Sequence, residues 1–153
     1  MKRYYPLSLI FLSTILSCTE QSKKEPETSD AINLKGTWTL LAGTLIEKGD
    51  TVVTDYTKDR SFIKIINDSH FAFLSHTLRK DTTDFTAGGG SYTLAGNKYT
   101  EHLEYCNTKE WEGHDFTFTV TINSDTLVQS GVEKIEAEGI NKINTEKYIR
   151  VKE

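Results

Sequence analysis

His114 to Ile122 reads HDFTFTVTI. Phe116, Phe118, Val120 and Ile122 share one parity, while Asp115, Thr117, Thr119 and Thr121 share the other. Successive side chains of a strand point to opposite faces, so this segment is a strand with one apolar and one wet face. One wet face is the mark of an antiparallel sheet, because parallel strands are covered on both sides.

Similar segments lie on either side of it. Downstream, Asn123-Ser124 turns the chain into a strand over Asp125 to Gln129. Upstream, beyond a loop at Asn107 to Gly113, Gly88 to Leu94 and Lys98 to Tyr105 flank Ala95-Gly96-Asn97, a strong hairpin signal. Ser61 to Ile66 and His70 to Thr77 flank the tight turn Asn67-Asp68-Ser69, and Thr51 to Tyr56 follows the turn Lys48-Gly49-Asp50. Leu34 to Leu40 puts Leu34, Gly36, Trp38 and Leu40 on one face, and Tyr148 to Val151 is read as the closing strand. Gly131 to Ile143 has no clean period, and its stretch VEKIEAEG fits an irregular strand or a short helix. The sum is an all-β domain of eight or nine strands. Antiparallel meanders of this length remove their free edges by closing, which predicts an up-and-down barrel with a two-sheet sandwich as the alternative.

Composition agrees. Of 16 aromatics, 13 lie beyond residue 30; all ten glycines lie beyond residue 35, and both prolines lie before residue 27. The chain has 153 residues and a formal charge of −4, becoming −6 without Lys2 and Arg3. A nucleic-acid binder needs a basic surface to neutralise phosphates, so that class of partner is excluded as an expectation.

The N-terminus reads as an address. Lys2 and Arg3 precede a mostly apolar run from Leu7 to Leu16, too short to cross a bilayer and of the right length for a secretory signal. The run ends in Ile15-Leu16-Ser17-Cys18, which resembles a bacterial lipobox, with Leu16 bulkier than the usual middle residue. The resemblance implies a signal peptide at 1–17, lipidation at Cys18 and a polar tether to residue 31 before a domain at 32–153. The alternative is a plain secretory signal with an accidental Cys. The 13 residues from 19 to 31 reach at most about 45 Å when extended. With Cys18 lipidated, Cys106 has no intrachain partner and reads as a passive small apolar residue.

Gly36-Thr37-Trp38 on the first strand and Arg150 on the last resemble the pattern of lipocalins and their relatives, in which a first-strand Trp closes the barrel floor and a last-strand basic residue packs across it. The middle, from Gly88-Gly89-Gly90-Ser91-Tyr92-Thr93-Leu94 through Tyr99-Thr100-Glu101, Glu104-Tyr105 and Asp125-Thr126-Leu127, is similar to a group of small bacterial lipocalin-like lipoproteins of unsettled function. The resemblance spans about residues 34–153 and implies a lipocalin-like barrel with Trp38 and Arg150 in contact. A cation over an aromatic face is worth about 0.5–2 kcal/mol.

No HExxH, GxSxG or GxxxxGK[ST] motif is present, so no catalytic residue, metal or cofactor is assigned and the chain is read as no enzyme. Gly88-Gly89-Gly90 enters a strand rather than a helix and carries no Lys at the phosphate-loop offset, which favours a bulge or sharp bend. His70, His76, His102 and His114 are read as solvent-facing. Parity puts Tyr99, Glu101, Leu103 and Tyr105 on one face, and a carboxylate there needs a partner: a hydroxyl of Tyr92, Tyr99 or Tyr105, or a cation such as Arg60 or Arg79. The ligand-binding candidates are therefore Tyr92, Tyr99, Glu101, Tyr105, Phe116 and Phe118.

The expected function is a lipid-anchored barrel that binds a small apolar or amphipathic ligand in the bacterial cell envelope, at the outer membrane, as a monomer. The alternatives are a filled barrel that contacts another envelope protein, and an enzyme using Glu101 as acid or base.

Overall fold

The structure is a computed structural model and describes residues 32–152. The signal peptide, Cys18 and the tether lie outside the described residues.

Nine strands follow one another: β1 (Gly36–Glu47), β2 (Asp50–Asp55), β3 (Arg60–Ile66), β4 (His70–Thr77), β5 (Phe85–Ala95), β6 (Lys98–Cys106), β7 (His114–Asn123), β8 (Thr126–Ile135) and β9 (Ile140–Arg150). Their order is β2-β1-β3-β4-β5-β6-β7-β8-β9, every pairing is antiparallel, and β1 also pairs with β9. The sheet is thus an up-and-down barrel of eight strands, closed by β1 against β9, with β2 as one extra strand. The architecture is all-β and consistent with a lipocalin-like fold.

The extra strand has a simple origin. On one edge of β1, Ala42 faces Asp55 of β2, and Thr39 faces Ile63 of β3. Three steps along β1 match eight along the chain, so β2 and β3 are one stave interrupted by a five-residue excursion. Asp55 holds the excursion: its carboxylate accepts from the Thr57 amide at 2.9 Å and the Thr57 hydroxyl at 2.6 Å, with Lys58 at 3.2 Å.

The segment from Gly131 to Ile143 holds both expected elements, strand and short helix, in succession. β8 continues to Ile135, a single 3-10 turn spans Glu136–Glu138, Gly139 closes it at φ +66°, and β9 begins at Ile140. β9 therefore starts eight residues before the expected Tyr148. Its inward positions Lys142, Asn144 and Glu146 are polar, so no hydrophobic alternation announces it.

Two bulges set which side chains face inward. Leu41 has no partner between Leu40↔Tyr148 and Ala42↔Lys147, so the lumen side passes from Leu40 to Gly43 and Leu45. Glu104 has none between Gly89↔Tyr105 and Gly90↔Leu103, and its carboxylate folds onto the amide and hydroxyl of Ser91 at 3.1 and 2.6 Å. The triple glycine lies opposite this second bulge. A Cβ at Gly88 would sit 2.5 Å from the Phe73 ring, and one at Gly89 2.5 Å from the Phe71 carbonyl oxygen. The glycines admit a close approach of neighbouring strands, as a packed bend requires.

Candidate functional site

One end of the barrel is closed. Trp38 is fully buried there, and its indole Nε1–H donates to the Leu34 carbonyl at 2.8 Å. The Arg150 guanidinium lies over the Trp38 ring, 4.0 Å from the ring centroid, and donates to the carbonyls of Lys35 and of Asn33, the latter at 3.0 Å. Gly36 between them has φ +129°, and a Cβ on it would meet Arg150 Nη1 at 2.8 Å. That explains why the strand opens Gly-Thr-Trp: the arginine occupies the space a side chain would take. Tyr92 belongs to this end too, its ring 5.2 Å from that of Tyr99 and its hydroxyl donating to the Asn67 carbonyl at 2.8 Å.

Above the floor lies a cavity of about 250 Å³. Phe62, Phe73, Leu103, Phe116 and Phe118 form its apolar wall, and Tyr56, Trp111 and Leu45 also line it. Phe62 lies 5.9 Å from both Tyr56 and Phe73, centroid to centroid, so aromatic rings run along one side. Trp111 comes from the 3-10 turn Lys109–Trp111 between β6 and β7 and sits 5.5 Å from Phe116.

The cavity also carries five charged side chains: Lys64, Glu101, Glu133, Lys142 and Glu146. Lys64 and Glu101 are 2% and 6% exposed. They form a buried ion pair, and the Lys64 ammonium donates a second bond to Gln129 Oε1 at 3.0 Å. The rings of Phe71, Tyr99 and Tyr148 surround that ammonium at 5.5–5.7 Å. Gln129 passes the network on, its amide donating to Glu146 Oε2 at 2.6 Å, and the Tyr148 hydroxyl donates to the same oxygen at 2.8 Å. A second group holds Glu133, which accepts from Asn144 at 2.8 Å and pairs with Lys142 at 3.3 Å. Lys142 also lies 4.7 Å from the centre of the Trp111 ring.

Burial shapes the ionisation of these groups. Loss of hydration pushes the Glu101 carboxyl above its ordinary range, against the opposing pull of Lys64. Glu133 is raised for the same first reason, opposed by Asn144 and Lys142. Burial and the nearby carboxylates push the Tyr99 and Tyr148 hydroxyls far above a phenol's usual range, so both stay neutral. The Tyr99 hydroxyl is sealed from solvent and, although close to Glu101, makes no well-formed hydrogen bond.

The candidate residues fall into three places. Glu101, Phe116 and Phe118 line the cavity. Tyr99 and Tyr92 lie beneath it in the closed end. Tyr105 is 69% exposed on the outer surface, which corrects its assignment to the lumen: the Glu104 bulge inverts parity, and Cys106 takes the inward position instead. The partner of Glu101 is also corrected. Arg60 bonds Ser75 and Asp84, and Arg79 bonds Asp81, so neither serves Glu101. Lys64 was missed because it sits in Phe62-Ile63-Lys64-Ile65-Ile66, where apolar residues occupy both faces and parity is unreadable. Gln129, Glu133, Lys142, Asn144, Glu146 and Tyr148 were missed with the inner faces of β8 and β9. His102 pairs with Asp115 at 2.8 Å, outside the lumen. Among the described residues, no three His, Cys, Asp or Glu side chains converge as a metal site.

No family model matches the chain, and no curated protein matches it.

Proposed function

We propose that the chain is a non-enzymatic binding protein that takes one small amphipathic molecule into the barrel lumen. The observation that carries this reading is the cavity itself, about 250 Å³ with an aromatic wall and a hydrogen-bonded polar end. That is room for about eight waters at ~30 Å³ each, below the range of about 300–1,000 Å³ typical for drug-sized ligands. The size suits a compact molecule. Side chains meet across the floor and stop short of the upper lumen, which disfavours a filled barrel.

The N-terminal pattern supports lipidation at Cys18 after removal of residues 1–17, which anchors the barrel in the bacterial cell envelope, at the outer membrane, with 18–31 as tether. Each buried methylene of such an anchor adds about 0.8 kcal/mol of membrane affinity. A Cys18→Ser variant is expected to leave the membrane fraction; equal retention would defeat the anchor.

Native mass spectrometry of protein purified from its own host tests the lumen. A co-purifying mass is expected on the wild type and not on Leu103→Trp, which fills the cavity. A wild type that carries nothing and binds none of a panel of small aromatic compounds would defeat the reading. A second reading, contact with another envelope protein, is favoured by β2, which among the described residues pairs only with β1 and exposes Val52 and Val53. Loss of a cross-linked partner in a Val53→Lys variant would support it.

A further inference from the structure

Given that the lumen binds a ligand, the charge balance of the cavity points to what the ligand carries. Five charged side chains line the cavity, two lysines and three glutamates. Each lysine already has its carboxylate: Lys64 holds Glu101, and Lys142 holds Glu133. Glu146 is left over. Among the described residues no cation lies within ion-pair distance of it. Its Oε2 accepts from Gln129 and Tyr148, while its Oε1 takes no bond from any described residue. Nor is Oε1 sealed off, because the one buried side-chain polar atom without a partner among the described residues is the Tyr99 hydroxyl.

We propose that the ligand is a small primary amine with an apolar or aromatic body, bound as its ammonium by Glu146. Charge, geometry and wall agree. An ammonium brings the lumen to neutrality, whereas a carboxylate would raise its negative charge to two or have to break an existing pair. Gln129 and Tyr148 fix Glu146 with two donors on one oxygen, which leaves the other oriented to accept. The rings of Phe62, Phe73, Phe116 and Phe118 line the same cavity and suit a cation with an apolar body. Glu101, by contrast, already has its charge met by Lys64 and offers a ligand no unpaired charge.

Calorimetric titration of the full chain at neutral pH with 2-phenylethylamine, 2-phenylethanol and phenylacetate tests this directly. The three probes share a body and differ in charge. The amine is expected to bind at least tenfold more tightly than the other two. Glu146→Gln should erase that preference, bringing the amine to within about twofold of the alcohol, while Glu146→Asp should keep the order. Thermal melts of both variants check that the barrel is folded. If the alcohol or the carboxylate binds best, or if the preference survives in folded Glu146→Gln, the amine assignment is overturned and small-ligand binding stands. Binding of none of the three overturns the amine assignment, and lumen binding falls with it only if the native protein carries no ligand and the wider panel also fails.

Discussion

The two ends of the barrel satisfy their polar groups in different ways. At the closed end, side chains bond to the main chain: Trp38 to the Leu34 carbonyl, Arg150 to those of Asn33 and Lys35, Tyr92 to that of Asn67. Inside the lumen, side chains bond to one another across different strands: Lys64 to Glu101 and Gln129, Gln129 to Glu146, Glu133 to Asn144. Backbone acceptors stay in place when a side chain changes. A side-chain network loses a partner with every substitution, and a partner left buried and charged costs the most. The floor should therefore fail as packing fails, independently of pH. The lumen should fail as electrostatics fails, with a strong pH dependence.

The largest effect is expected at the floor. Trp38→Ala removes a fully buried ring and should lower stability by about 3–5 kcal/mol in denaturant titration, equally at acid and neutral pH. A near-neutral midpoint would break the comparison at its stronger end.

In the lumen, Lys64→Met should cost about 3 kcal/mol at neutral pH, because Glu101 is left buried without its cation. The sign with pH follows from the raised carboxyl. A group whose folded pKa lies above its unfolded value contributes stability that is present below the unfolded pKa and lost as pH rises through the folded one. The variant's deficit should thus shrink as pH falls and Glu101 takes a proton. The double variant Lys64→Met, Glu101→Leu should recover most of the loss. A deficit that is flat with pH, or a double variant as unstable as the single, would show that the pair matters for packing alone.

The smallest effect is expected at Asp55, on the exposed excursion between β2 and β3. Its carboxyl is held down to about 2 by the Thr57 hydroxyl first, then the Thr57 amide and Lys58. A lowered carboxyl contributes stability that is present above its ordinary value of 3.8 and lost as pH falls towards 2. Asp55→Asn should flatten the acid limb of the stability profile in that window and leave the neutral plateau nearly unchanged. This slope is opposite to that of Glu101. An unchanged acid limb would remove Asp55 as the anchor of the excursion.

Chain order, strand alternation and turn chemistry determined the barrel. HDFTFTVTI, the Ala95-Gly96-Asn97 hairpin and the lone Gly-Thr-Trp each report on local backbone, and period-two alternation is legible wherever one face is apolar. That logic reached Phe116, Phe118 and Glu101 in the lumen and Trp38 in the floor, whereas Arg150 came only from the resemblance to the lipocalin pattern. It broke at Tyr105, because a single bulged residue inverts every parity beyond it, and the glutamate that makes the bulge looks like any exposed glutamate. It also broke on β8 and β9, whose inward side is built from Gln129, Glu133, Lys142, Asn144 and Glu146. Polar residues facing inward erase the very contrast that alternation depends on. Only the closed sheet, by bringing Lys64 to Glu101 and leaving Glu146 without a cation, decides which charges cancel and which one remains for a ligand. Charge pairing is a property of distance in space: Lys64 and Glu101 meet from β3 and β6, Glu133 and Lys142 from β8 and β9.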